Sequence, residues 1–163
     1  MTLANMLRTK LAEFSYDLHD PSGSSRDTIV HEGWKVVFTP ETRGAVGCAL
    51  VDVTLDRASG ESVGDTRAWA EGVCRKVTGL LEPLKVVEID AGKQVALVRS
   101  AAPTPNESGL DYHEIELHHT AHAVVRRYRG FREAGKSREQ IPFAVTFEAL
   151  AQLIGGITTV SVA

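Results

Sequence analysis

The chain has 163 residues, 43% of them hydrophobic and 24% charged, with a net charge of −3. A chain of that size suits one domain that buries about 70% of its unfolded surface, so no disulfide or metal is needed to hold it together. The mild acidity excludes an electrostatic footprint of the whole chain for nucleic acid or anionic membrane, and Cys48 and Cys74, apart and in apolar stretches, read as buried reduced thiols.

Residues 3–18 predict an amphipathic helix, because Leu3, Leu7, Leu11, Phe14 and Leu18 recur at steps of three and four and so share a face. Arg8, Lys10 and Glu13 interrupt this stretch, so neither a secretory signal nor a membrane span is expected, and the cytoplasm is the expected location. Asp20, Pro21 and Gly23 open a loop over 20–25. A short edge strand at 28–30 and a strand over 34–39, closed by Pro40, are expected next. A further strand over 46–55 places Ala49, Val51, Val53 and Leu55 on one side, with Cys48, Leu50, Asp52 and Thr54 on the other.

Asp65 is a good N-cap for a second helix over 65–78, whose apolar face carries Trp69, Val73, Val77 and Leu80 and whose stop is Gly79. Trp34 and Trp69 read as packing anchors. Two hairpins follow, 84–90 with 93–100 about Ala91-Gly92, and 110–118 with 122–129 about His119, Thr120 and Ala121. The connector 103–109, with Pro103, Pro105 and Gly109, reads as loop. After Gln140-Ile141-Pro142-Phe143, Thr146 caps a last helix with Phe147, Leu150, Leu153, Ile154 and Ile157 on its apolar side, ended by Gly155-Gly156. The expected fold is a single α+β domain over 1–163, a mostly antiparallel sheet of five to seven strands with N-terminal, middle and C-terminal helices.

The chain holds no nucleophile elbow, Walker loop, dinucleotide fingerprint or HExxH motif. Two groups stand out instead. His113, His118, His119 and His122 crowd the second hairpin, and imidazole is a common metal ligand. Strand alternation separates His118 from His113 and His119, but His118 and His122 face each other across the hairpin mouth. His118, His119 and His122 are therefore the candidate metal ligands, with Glu114 or Glu116 as a base, set against solvated hairpin-tip histidines. The second group is basic: Arg126, Arg127, Arg129 and Arg132, continued by Lys136 and Arg138, with Tyr128 and Phe131 interleaved. It could engage a partner or a nucleic-acid backbone. Alternation divides it, Arg126 and Tyr128 on one face and Arg127 and Arg129 on the other, and Glu114 and Glu116 on the neighbouring strand are natural ion-pair partners.

The order of elements, a helix at 3–18, a strand group, a helix at 65–78, more strands and a helix at 147–154, resembles that of the type III secretion chaperone-like fold. The resemblance spans most of the chain and rests on topology. It implies a homodimer that binds an extended or helical segment of a client protein without catalysis and without a cofactor. An additional strand pair at 110–129 and a milder acidity depart from that pattern. Leu97-Val98-Arg99-Ser100, Arg126-Arg127-Tyr128 and Ile141-Pro142-Phe143 also look like stretches of uncharacterised bacterial proteins of similar size. The expected function is a non-enzymatic protein-binding or chaperone-like adaptor, followed by a metal-dependent enzyme or ligand-binding protein using residues 113–122, and then by nucleic-acid binding through 126–138.

Overall fold

The structure, a computed structural model, describes residues 2–12, 26–62 and 64–160. Helix α1 (Leu3–Ala12) buries Leu7 and Leu11 as its periodicity dictates; Phe14, Leu18 and the loop at 20–25 lie outside the described residues. Three antiparallel strands follow, β1 (Asp27–His31), β2 (Trp34–Arg43) and β3 (Gly47–Arg57). Helix α2 (Thr66–Lys76) is capped by Asp65, whose side chain accepts from the Arg67 backbone N–H at 3.1 Å. Then come β4 (Leu84–Asp90), β5 (Val95–Ser100), the two-residue β6 (Thr104–Pro105), β7 (Gly109–His118), β8 (His122–Phe131), β9 (Glu139–Ile141) and β10 (Phe143–Thr146). Helix α3 (Phe147–Thr158) closes the described chain, its cap Thr146 accepting from Ala149 N–H at 3.1 Å.

Seven strands make one continuous antiparallel path, β1-β2-β3-β8-β7-β5-β4, so the α+β class holds. The three pieces beyond the expected strands, β6, β9 and β10, are short. Strands β3 and β8 pair only from Val53 to Asp56 and then fork. The segment 139–146 fills the fork: β9 runs along β8 toward its apex, the chain turns at Pro142, and β10 runs back along β3. Proline suits that apex because it has no N–H to leave unpaired.

The three helices form one layer on one face of the sheet, α3 touching both α1 and α2. The core lies between this layer and the inward residues of the strands, among them Phe38, Leu50, Val98, Ile115 and Val125. Trp34 and Trp69 sit in it with ring centroids 6.0 Å apart, and Trp69 Nε1–H donates to Ile157 O at 2.9 Å. Both act as the anchors expected of them. Cys48 is buried and free, and burial pushes its thiol up to about 11. Cys74 is free and half-buried.

Two expectations are corrected. The faces of β3 switch in mid-strand, so Cys48 and Leu50 join Val53 and Leu55 in the core. The cause is a bulge: Thr39 pairs with Asp52 and Pro40 with Leu50, skipping Val51. Gly155 and Gly156 do not end α3, which continues to Thr158. A Cβ on Gly156 would stand 2.7 Å from Val77 Cγ2, so its bareness lets the end of α2 pack against α3.

Candidate functional site

Alternation gives β5, β7 and β8 an inward face under the helices and an outward face with no helix over it. Both faces carry ionisable groups. On the inward face Arg127 and His113 share parity with the apolar Val125 and Ile115, so folding draws them inside, where Arg127 is 6% and His113 3% exposed. A buried cation needs a buried partner. Glu82, in the connection before β4, supplies it through a two-pronged contact, Arg127 Nη1 to Oε1 at 2.9 Å and Nη2 to Oε2 at 3.1 Å. Ser100 Oγ donates to Glu82 Oε1 at 2.7 Å and Thr104 Oγ1 to Oε2 at 2.8 Å, while Ser100 Oγ accepts from His113 N–H at 2.8 Å. Burial alone would raise the Glu82 carboxyl, but the bonds from Arg127, Ser100 and Thr104 outweigh it and hold it at about 2. Burial, reinforced by the Arg127 charge, lowers His113 to about 4 against the opposing pull of Glu82. At neutral pH the network is therefore one cation, one anion and one neutral imidazole.

On the outward face Glu114 is 2% exposed and lies under two guanidiniums, Arg99 Nε and Arg138 Nη1, each 2.7 Å from Oε2. Arg138, from the connection after β8, also lies over the Tyr128 ring at 3.7 Å, and Arg99 stands 5.6 Å from the Tyr112 centroid. Two cations on one carboxylate leave a local excess of positive charge. Beside this cluster a half-open groove of about 390 Å³ is lined by three cations, Lys85, Arg99 and Arg132, and by no carboxylate. Lys85 and Arg132 make no ion pair among the described residues. Apart from Ser100 the rest of the lining is apolar or aromatic, including Val87 and Leu110, both more than 40% exposed, with Tyr112 and Phe131.

The residues singled out from sequence separate into these settings. His118 and His122 do face each other, paired in register with ring centroids 5.7 Å apart. Each also has a carboxylate, Glu116 at 3.7 Å from His118 Nε2 and Asp56 at His122 Nδ1. His119 turns away at a φ of 52°, and its Nδ1 meets Gln94 Oε1 at 3.2 Å. Among the described residues no three His, Cys, Asp or Glu side chains group to hold a metal ion. Of the arginines, Arg126 is on the outward face near Glu116 at 4.0 Å, and Arg129 is forked onto Asp111 at 2.9 and 3.0 Å. Arg127 is inside, where no macromolecular partner reaches it, and Arg132 lines the groove. Glu114, read from the sequence as a candidate base or an ion-pair partner of the β8 arginines, is the buried centre of its cluster, paired with Arg99 and Arg138, which close over it. Sequence reasoning missed Glu82, Arg99 and Lys85. The signal for Glu82 was indirect: an arginine and a histidine on the apolar parity of their strands demand a buried acid somewhere in the chain.

No family model, curated protein or solved structure matches this chain. Among the described residues no helix is long and apolar enough to cross a membrane.

Proposed function

We propose that this protein is a non-enzymatic binding module, an adaptor or chaperone-like protein, whose outward sheet face takes up an acidic, partly apolar segment of a partner protein. The observation that carries this reading is the groove itself. Lys85, Arg99 and Arg132 surround apolar side chains with no carboxylate in the lining, on a chain whose net charge is −3. Such a local inversion of sign attracts carboxylates over about a Debye length, and the exposed Val87 and Leu110 reward an apolar residue between them. The topological resemblance to secretion chaperones points the same way and adds a homodimer. Edge strand β1, with Val30 66% exposed, offers a surface for self-pairing.

A fluorescein-labelled peptide alternating glutamate and leucine tests the reading by anisotropy. It should bind at low salt, weaken as salt rises, and lose about tenfold or more in affinity to the Lys85→Glu, Arg132→Glu protein. Equal binding by that variant, or equal binding of a lysine–leucine peptide, refutes it. Tighter binding of a single-stranded RNA of matched charge replaces the protein partner with a nucleic acid. Light scattering at micromolar concentration checks the dimer, and a strict monomer removes it.

A further inference from the structure

Lys85 and Arg99 are partners in the β4–β5 register and both line the outward groove, so two cations stand opposite each other on one sheet face. Like charges in that position repel. The groove lining contains no carboxylate to separate them. A carboxylate brought there by a ligand would turn the repulsion into two attractions.

Arg99 is set for such a contact. Glu114 holds it by Nε alone, at 2.7 Å, and among the described residues neither Nη1 nor Nη2 has a hydrogen-bond acceptor. A guanidinium fixed at Nε with both terminal nitrogens open presents the fork that takes a carboxylate by two parallel bonds. Glu114 by itself, however, would cancel the Arg99 charge. Arg138 prevents this. It donates to the same Glu114 oxygen at 2.7 Å and to the other at 3.4 Å, so one carboxylate serves two guanidiniums and the trio keeps one positive charge. Arg138 does not itself line the groove. It is held beside it, Nη1 donating to the hydroxyl of the groove residue Tyr112 at 3.3 Å and the guanidinium lying 3.7 Å from the Tyr128 ring centroid.

We propose that Lys85 and Arg99 form the subsite of the groove that reads a single carboxylate of the partner segment, and that Arg138 is its positioning residue. Arg138 makes no contact with the ligand; by sharing Glu114 it leaves Arg99 both oriented and charged. Arg132, beyond β8 and so two strands further along the sheet order from β5, stands outside this subsite. The proposal rests on the groove reading above and names what that groove recognises.

The probe is a labelled leucine peptide with one central glutamate and an amidated C-terminus, set against the same peptide with glutamine. Anisotropy at low salt is measured beside that of the peptide alternating glutamate and leucine. Wild type should prefer the single glutamate about tenfold, the worth of one charge-assisted contact. Lys85→Gln, an exposed change that leaves packing alone, should cut the preference to about twofold, while Arg132→Gln keeps most of it. Arg138→Gln should cut it to about threefold and flatten its salt dependence, and Arg138→Lys, which restores the charge, should recover much of it. A merely structural role for Arg138 would weaken both peptides alike and leave Arg138→Lys no better than Arg138→Gln; either result overturns the proposal. Failure of the alternating peptide to bind wild type removes the groove reading and the subsite with it. Binding of the alternating peptide without a preference for the single glutamate overturns the subsite while the groove reading stands, and so does a preference untouched by Lys85→Gln.

Discussion

Acid should weaken this protein through His113 well before it reaches the carboxylates. The ring titrates near 6.5 in the unfolded chain and at about 4 in the folded one. The unfolded chain therefore binds the proton more tightly, and stability present above pH 6.5 declines as pH falls, levelling off only below the folded value near 4. The full displacement corresponds to roughly 3 kcal/mol, of which about 2 kcal/mol is already lost at pH 5 relative to pH 8. His113 is almost wholly buried, so solvent screening takes little from that figure. Urea denaturation at pH 8 and pH 5, followed by tryptophan fluorescence, measures it. Trp34 and Trp69 both lie in the core and report global unfolding. The comparison protein is His113→Gln, whose amide oxygen can accept from Arg127 but does not titrate. Every other ionisable group is shared, so the difference between the two proteins isolates the histidine. The wild type should lose about 2 kcal/mol more than the variant between pH 8 and pH 5. Equal losses refute the assignment of a neutral, buried His113.

Two further outcomes follow from the same packing. Arg127→Met leaves the Glu82 carboxylate buried without its cation and should cost about 3–5 kcal/mol, whereas Arg127→Met with Glu82→Leu should recover most of that, since a buried pair replaced whole is nearly neutral; equal losses in the two proteins by urea denaturation would show that Glu82 finds water instead. Gly109→Ala should destabilise by about 1–3 kcal/mol because its Cβ would fall 1.9 Å from Gly130 O, while Gly155→Ala, with nothing within 4 Å of its Cβ and a helix around it, should stabilise by about 1 kcal/mol. Thermal melts of the two variants read both signs: a Gly109→Ala protein that melts no lower than wild type contradicts the close approach of β7 and β8 at Gly109, and a Gly155→Ala protein that melts lower contradicts the open space at that helix position.

Much of the fold is legible in the chain because it rests on local patterns. The 3.6-residue spacing of Trp69, Val73 and Val77, with Asp65 ahead of it, specifies α2 within about two residues at each end. Alternation and turn residues place β4, β7 and β8 nearly to the residue. Where local signals stop, reading stops. The bulge at Val51 inverts a face, and nothing near Val51 announces it, because it arises from the mismatch of β2 and β3 at Pro40. The strands at 139–146 are short and broken by Pro142; they exist because β3 and β8 fork and leave unpaired backbone that the segment satisfies.

The sites show the same division more sharply. By itself the sequence determined that Arg127 and Arg129 would stand on the strand face opposite Arg126 and Tyr128, and that an opposed pair, His118 and His122, would close the hairpin. Only the tertiary structure decided what those residues do. Glu82, Ser100, Thr104, His113 and Arg127 come from five separate segments, and the sheet order β8-β7-β5 brings them within bonding distance. Lys85, Arg99 and Arg132 likewise meet around one groove although no window of sequence contains all three. Periodicity fixes which way a side chain points, a property of one strand. Whether it meets a partner, a cavity or water depends on which strand lies beside it, and that is set by long-range pairing.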